Sequence, residues 1–274
     1  MQVRILSAPY DSGRLRERMG LGPEFLLREG LVPLFQRQGI AYEVEEIRPS
    51  QSHLTEIGSA FEICRAVSEK VHALTAEGCF PVVLSGNCDI AIGAISGCDP
   101  HKTSVAWFDA HGEGNTPETT NSGFLDGMGI AILTGQCWHN LARSIPGFHA
   151  LPGRKVLLIG SRDVEPEESA LLDRAGVVRI LGTSDLQPAI ENVAQGSDGI
   201  YLHFDLDVLD PREATSNQWT PPGGMMLAEL LEAVRTIRRQ APVKGFGFGS
   251  YDPAVDHNRR ALKAVVAISE ALVT

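Results

Sequence analysis

The chain has 274 residues, and 24 Lys and Arg stand against 34 Asp and Glu, a formal net charge of −10. Apolar residues make up 43% and charged residues 21%, which excludes a disordered or fibrous chain. The acidic balance argues against a nucleic-acid or anionic-membrane partner, and no apolar run reaches the roughly 18 residues of a membrane span.

The start, Met1-Gln2-Val3-Arg4-Ile5-Leu6, runs into a polar, Arg-rich stretch without the apolar core of a signal peptide. In chain order, the patterns then predict a strand at 3–7, a helix at 23–37, a strand at 42–47 and a helix at 60–76. Strands follow at 80–84, 104–108 and 155–159, then a helix at 167–174 and a strand at 199–204. A helix at 226–238, a strand at 244–248 and a helix at 261–272 complete the chain. Several strands are apolar throughout, as parallel strands buried on both faces are. Leu227, Leu230, Leu231, Val234 and Ile237 share one helical face. This alternation predicts one α/β domain over 1–274 with a mainly parallel sheet. The longest irregular stretches, 112–127 and 210–224, each follow a predicted strand, at the edge where open α/β sheets bind ligands. Five scattered cysteines, at 64, 79, 88, 98 and 137, fit a reduced, cytoplasmic protein better than a disulfide scaffold.

Three segments carry chemistry. In Trp107-Phe108-Asp109-Ala110-His111-Gly112-Glu113, an apolar strand ends in Asp, His and Glu at alternate positions. These side chains point the same way if the strand continues. They would then need a cation, or else they form a strand end facing water. In Tyr201-Leu202-His203-Phe204-Asp205-Leu206-Asp207-Val208-Leu209-Asp210-Pro211, another buried strand runs into alternating carboxylates, and Asp210 fits a turn before Pro211. Together these oxygen-rich, imidazole-containing sets suit a bridged pair of Mg²⁺ or Mn²⁺ ions. In Val83-Leu84-Ser85-Gly86-Asn87-Cys88-Asp89-Ile90-Ala91-Ile92-Gly93, a strand turns into an apolar helix. Cys88 there is either a small buried hydrophobe or a thiolate near a helix N-terminus.

In this order the three segments resemble the ureohydrolases, the family of arginase and agmatinase. That family carries a Gly-Gly-Asp-His-type turn, then Asp-Ala-His-x-Asp, then Asp-x-Asp with a further Asp-Pro. The likeness runs from Gly20-Leu21-Gly22-Pro23 and Leu27-Arg28-Glu29-Gly30-Leu31 to Tyr251-Asp252-Pro253. It implies a three-layer αβα sandwich with two Mn²⁺ per chain at the carboxyl edge of the sheet. By the resemblance, Asp109 and Asp205 bridge the ions, His111 and Asp207 hold one, and Cys88 and Glu113 hold the other. Glu113 also orients the bridging hydroxide that attacks the substrate. Asn115, Thr120 and Ser122 match a loop that grips an α-carboxylate, Glu165 matches the partner of the α-amino group, and Thr220 matches a pocket threonine. The implied partner is a small amino-acid substrate.

The sequence departs from the family at four of these positions. Cys88 stands for a metal-binding His, and Glu113 for a shorter Asp. Asp126 stands where arginase has a proton-shuttling His. Ser250 stands where a glutamate faces the guanidinium. Losing a charge-assisted partner removes on the order of 1.5–3 kcal/mol of attraction for a guanidinium. The resemblance, with these departures, implies hydrolysis of Nω-hydroxy-L-arginine to L-ornithine and hydroxyurea in antibiotic biosynthesis. Asp126 and His139 are the candidates for protonating the leaving amine. The alternatives are a ureohydrolase for another guanidino or formimino amino acid, or a metal-free pseudoenzyme. Only residues 254–274 follow the last motif, so an arginase-type trimer is not expected and the oligomeric state stays open.

Overall fold

The computed structural model describes residues 2–51 and 53–274. The seven predicted strands form, and a short eighth joins them at one edge. They are β1 Val3–Ala8, β2 Tyr42–Glu46, β3 Phe80–Ser85, β4 Thr103–Phe108, β5 Val156–Ile159, β6 Val178–Ile180, β7 Gly199–Asp205 and β8 Val243–Gly249. Their order is β2-β1-β3-β8-β7-β4-β5-β6, with every neighbouring pair parallel. Strands β4 and β7 are buried at every position, as their continuous apolar character requires. The edge strand β2 exposes Glu43 and Glu45, charges that discourage edge-to-edge pairing.

Alternate strand residues feed two separate cores, which gives the three-layer αβα sandwich. The named helices are α1 Glu56–Ala76, α2 Ala91–Gly97, α3 Pro166–Ala175, α4 Leu186–Ala194, α5 Leu227–Gln240 and α6 Arg260–Val273. One core joins Val3, Ile5, Phe108, Phe204 and Phe248 to α4, α5 and α6. The other joins Leu6, Val83, Trp107 and Tyr201 to α1 and α2. The predicted C-terminal helix forms and packs on the domain through α5. No helix among the described residues is long and apolar enough to cross a membrane.

Two local differences from the sequence reading have physical causes. The helix expected over 23–37 is three segments, Gly22–Leu26, a π turn at Leu27–Leu31, and Val32–Gln38. Pro33 lacks an amide and would crowd the carbonyl four residues back, so the helix widens before it. Helix α1 begins earlier than expected because the Thr55 hydroxyl accepts from the Gly58 amide at 3.1 Å and caps it. Strand β6 and helix α4 were not anticipated; three half-buried residues carry no readable period.

Packing sets the level of the carboxyl edge. Phe204 stacks against Phe108 on one side and Phe248 on the other, at ring separations of 4.8 and 5.3 Å. These three are in register across β4, β7 and β8. Asp109 and Asp205 each follow a member of this ladder by one residue, so both emerge at the same height. On the other face, α2 lies close to α1 at glycines. A Cβ on Gly93 would sit 2.4 Å from the Cys64 carbonyl oxygen. Gly93→Ala is therefore expected to destabilise the fold by about 1–3 kcal/mol through overpacking, against its better helix propensity. Urea denaturation measures this, and an unchanged midpoint would mean that the two helices are free to separate.

Candidate active site

Four strands deliver their ends to one cleft. Beyond β3, Cys88 opens a short 3-10 turn, Cys88–Ile90, ahead of α2. Asp109 follows β4, Asp205 ends β7, and Asp207 lies on the 3-10 turn Leu206–Val208. Ser250 follows β8. The ligand atoms of Cys88, Asp109 and Asp205 lie within 4.8 Å of one another, and so do those of Asp109, His111 and Asp207. Asp109 belongs to both sets. The cleft over them has a volume of about 240 Å³.

Backbone amides aim these carboxylates. The His111 amide donates to Asp109 Oδ1 at 2.8 Å, the Ala110 amide to Asp207 Oδ1 at 3.1 Å, and the Asp207 amide to Asp205 Oδ1 at 2.9 Å. The Trp107 indole N–H donates to Asp109 Oδ2 at 2.9 Å. Gly249 makes room for the thiol, since a Cβ there would lie 2.9 Å from Cys88 Sγ.

The period-2 argument holds for less of the 107–113 segment than expected. Strand β4 stops at Phe108, and His111 makes only an isolated bridge to Asp163. Glu113 has φ +55°, the left-handed region, and its carbonyl accepts from the Ile130 and Ala131 amides. Its carboxylate lines the cleft but falls outside both three-residue sets, and its buried Oε2 has no hydrogen-bond partner. Ser250 is left-handed as well, at φ +54°. Such conformations in non-glycine residues persist only where the surroundings impose them.

The site is short of positive charge. Burial raises the Asp109 and Asp205 carboxyls, and the nearby Asp207 raises them further. Burial raises Glu113 too, with Asp109 and Asp126 adding to it. Burial also acts to raise Asp207, but the hydrogen bond and charge of His111 outweigh it and leave Asp207 below its ordinary value. Burial disfavours the His111 imidazolium, yet Asp109 and Asp207, at 3.4 and 3.3 Å, hold it protonated. Burial and then Asp205 push the Cys88 thiol well up. One imidazole cannot balance this many buried acids. Carboxylate oxygens, an imidazole nitrogen and a sulfur in two overlapping sets fit a pair of divalent cations.

The expected substrate-binding residues divide. Asn115, Thr120, Ser122, Glu165 and Ser250 line the cleft, and Thr220 does not. The Thr220 hydroxyl instead donates to the Asn217 carbonyl at 3.1 Å. Glu165 caps α3 together with Glu168 and accepts from Asn121 Nδ2 at 2.7 Å. The Thr120 and Ser122 hydroxyls are 3.4 Å apart. Asp126 lines the cleft, whereas His139 lies in a separate pocket and contacts the Gly135 carbonyl. Asp210 pairs with Arg212 and organises its turn. Sequence reasoning assigned nothing to Asn217, Trp219 or Phe124, which also line the cleft. Their segments were marked only as long irregular stretches at the right edge of the sheet.

Arg162 ties the two sides of the cleft together. Its guanidinium donates to the carbonyls of Asp207 at 2.9 Å, Pro221 at 3.0 Å and Pro222 at 3.1 Å. It therefore clips the loop after β7 onto the loop after β5.

This parallel sheet, with two overlapping donor sets at its carboxyl edge, has the build of a hydrolase site for a pair of divalent cations. The Arginase family model matches residues 1–274, and the chain belongs to the arginase family. It is 27% identical to the arginase of Bacillus caldovelox over 293 residues, covering 98% of this chain and 97% of that one. It is 26% identical to an arginase of Staphylococcus aureus, covering 97% and 95%. The crystal structure of arginase from Bacillus cereus matches with a TM-score of 0.89 and 25% identity, covering 99% and 98%. The family's binuclear metal site corresponds to the two donor sets.

Burial favours the protonated Cys88 thiol, so a metal that takes Cys88 as a ligand would have to displace that proton. Affinity is expected to rise with pH, and calorimetry in buffers of different ionisation enthalpy should register proton release. Cys88→Ala should leave about one ion per chain by elemental analysis. Two ions in that variant would remove Cys88 from the ligand set.

Proposed function

We propose that this metal-dependent amidinohydrolase binds two Mn²⁺ and hydrolyses Nω-hydroxy-L-arginine to L-ornithine and hydroxyurea. That is the reaction of the arginase-like amidinohydrolase of D-cycloserine biosynthesis, which the sequence resembles. The observation that carries the reading is Ser250. Its hydroxyl lies 3.2 Å from Cys88 Sγ and 3.2 Å from Asp126 Oδ2, at the floor of the cleft. A neutral hydroxyl there gives a guanidinium no opposing charge. An N-hydroxyguanidine is less basic, so it loses less, and its hydroxyl gains a small polar neighbour.

A bound pair of divalent ions would supply a water acidic enough to act as nucleophile near neutral pH. Asp109 and Asp205 would serve both ions, His111 and Asp207 would hold one, and Cys88, with Glu113 from outside the two sets, would hold the other. Glu113, whose Oε2 is otherwise unpartnered, accepts a hydrogen bond from the attacking water. Asn115, Thr120 and Ser122 present neutral donors to the α-carboxylate, and Glu165 accepts from the α-amino group. Thr220 acts from behind the cleft wall, through Asn217. The attack breaks the bond between the guanidino carbon and the ornithine nitrogen, which must gain a proton. We assign that proton to Asp126, which lines the cleft. Burial raises its carboxyl to about 6, against the opposing hydrogen bonds from Asn87 and the Asp89 amide.

Two measurements test the reading. At equal concentration, Nω-hydroxy-L-arginine is expected to turn over at least about tenfold faster than L-arginine, matching a lost charge-assisted contact. The curated relatives are named arginase, and faster turnover of plain arginine would return the protein to that reading. Asp126→Asn is expected to lower kcat by about 10²–10⁴-fold. A raised carboxyl pKa means the protonated form declines as pH climbs through about 6, so a donor role puts a falling limb there. The variant should lack that limb.

A further inference from the structure

Asn217 is 2% exposed, on the loop after β7, and its side chain is fully engaged. Its Nδ2 donates to Asp207 Oδ2 at 3.2 Å, to Asp205 Oδ1 at 3.4 Å and to the Ser250 carbonyl at 3.2 Å. Its Oδ1 accepts from the Trp219 amide at 2.9 Å and from the Thr220 hydroxyl at 3.3 Å. The two ends cannot be exchanged, because one faces three acceptors and the other two donors. Trp219 lines the cleft and lies 5.9 Å from Phe124 across it, ring to ring.

We infer that Asn217 is a positioning residue that orients Asp205 and Asp207 toward the metal pair while anchoring the Trp219 rim of the cleft. The inference rests on the metal-centre reading above. A ligand carboxylate has lone pairs left over from the metal, and a donor that occupies one of them fixes its rotation. Asn217 supplies such a donor to both carboxylates at once without adding charge to a site already crowded with acids. Its other end makes the rim part of the same hydrogen-bonded unit. Displacement of the Trp219 turn therefore disturbs the ligand carboxylates, and loss of the amide disturbs both.

The test is Mn²⁺ titration calorimetry on the full-length metal-free protein, with Asn217→Ala and Asn217→Asp. Asn217→Ala is expected to weaken Mn²⁺ binding by about 10–100-fold. Its KM should rise because the rim loses its anchor. Asn217→Asp keeps the shape and the acceptor for Trp219 and Thr220 but loses the donors. Its bound Mn²⁺ should give an electron paramagnetic resonance spectrum different from that of wild type. Because Asn217→Asp also sets a new carboxylate beside Asp205 and Asp207, the deciding readout is the spectrum and affinity of Asn217→Ala, or of the neutral Asn217→Ser if that variant fails to fold. A residue that only braces the loop would leave both unchanged. Affinities within threefold of wild type and an unaltered spectrum overturn the inference alone. A wild-type protein that binds no Mn²⁺ overturns the metal centre and this role with it.

Discussion

Asp109, Asp205 and Asp207 are withdrawn from water beside one another, with Glu113 and Cys88 close by in the same cleft. Removing ions of one sign from solvent costs several kcal/mol each unless an opposite charge accompanies them. His111 supplies a single positive charge, shared between Asp109 and Asp207. In the metal-free chain, burial and the neighbouring carboxylates favour the protonated forms of Asp205, Glu113 and Cys88. Two divalent cations would release those protons and convert a costly cluster into a stable one. Binding, acidity and ligand geometry at this rim are thus aspects of one electrostatic constraint.

The fold meets that constraint with backbone rather than with side-chain flexibility. Parallel strands all point their carboxyl ends to the same rim, so residues far apart in sequence converge there. The Phe108–Phe204–Phe248 ladder fixes the strand ends in register, and amides of the following turns hold the carboxylate rotations. Arg162 and Asn217 then close the loops around the centre from opposite sides, one through carbonyl oxygens and the other through carboxylates. A site held in this way pays its ordering cost on folding, before any ligand arrives.

Cys88, Ser250 and Asp126 form one contiguous set through 3.2 Å contacts. In sequence they are three separate departures from the family pattern. In space they are neighbours at the end of the cleft beside the Cys88 donor set. Under the proposed function, a softer ligand, a neutral hydroxyl and a raised carboxyl in one corner would alter metal preference, substrate basicity and proton supply together.

The sequence alone determined the parallel sheet and the two acidic strand ends, because buried strands and clustered acids leave a pattern in composition and spacing that local rules can read. Asp109, His111, Asp205 and Asp207 converge in the folded chain, and Cys88, whose own segment left its role open, lies beside Asp109 and Asp205. Tertiary structure alone decided where Glu113 points, since a left-handed backbone replaced the alternation that a continued strand would have given. It also turned Thr220 away from the cleft and brought in Asn217, Trp219 and Phe124. Those residues lie on loops without periodicity, and the hydrogen bonds of Asn217 join the ends of β7 and β8, which meet only when the sheet assembles. Local sequence encodes which groups a strand end carries; the relative placement of several strand ends and loops is a property of the packed whole.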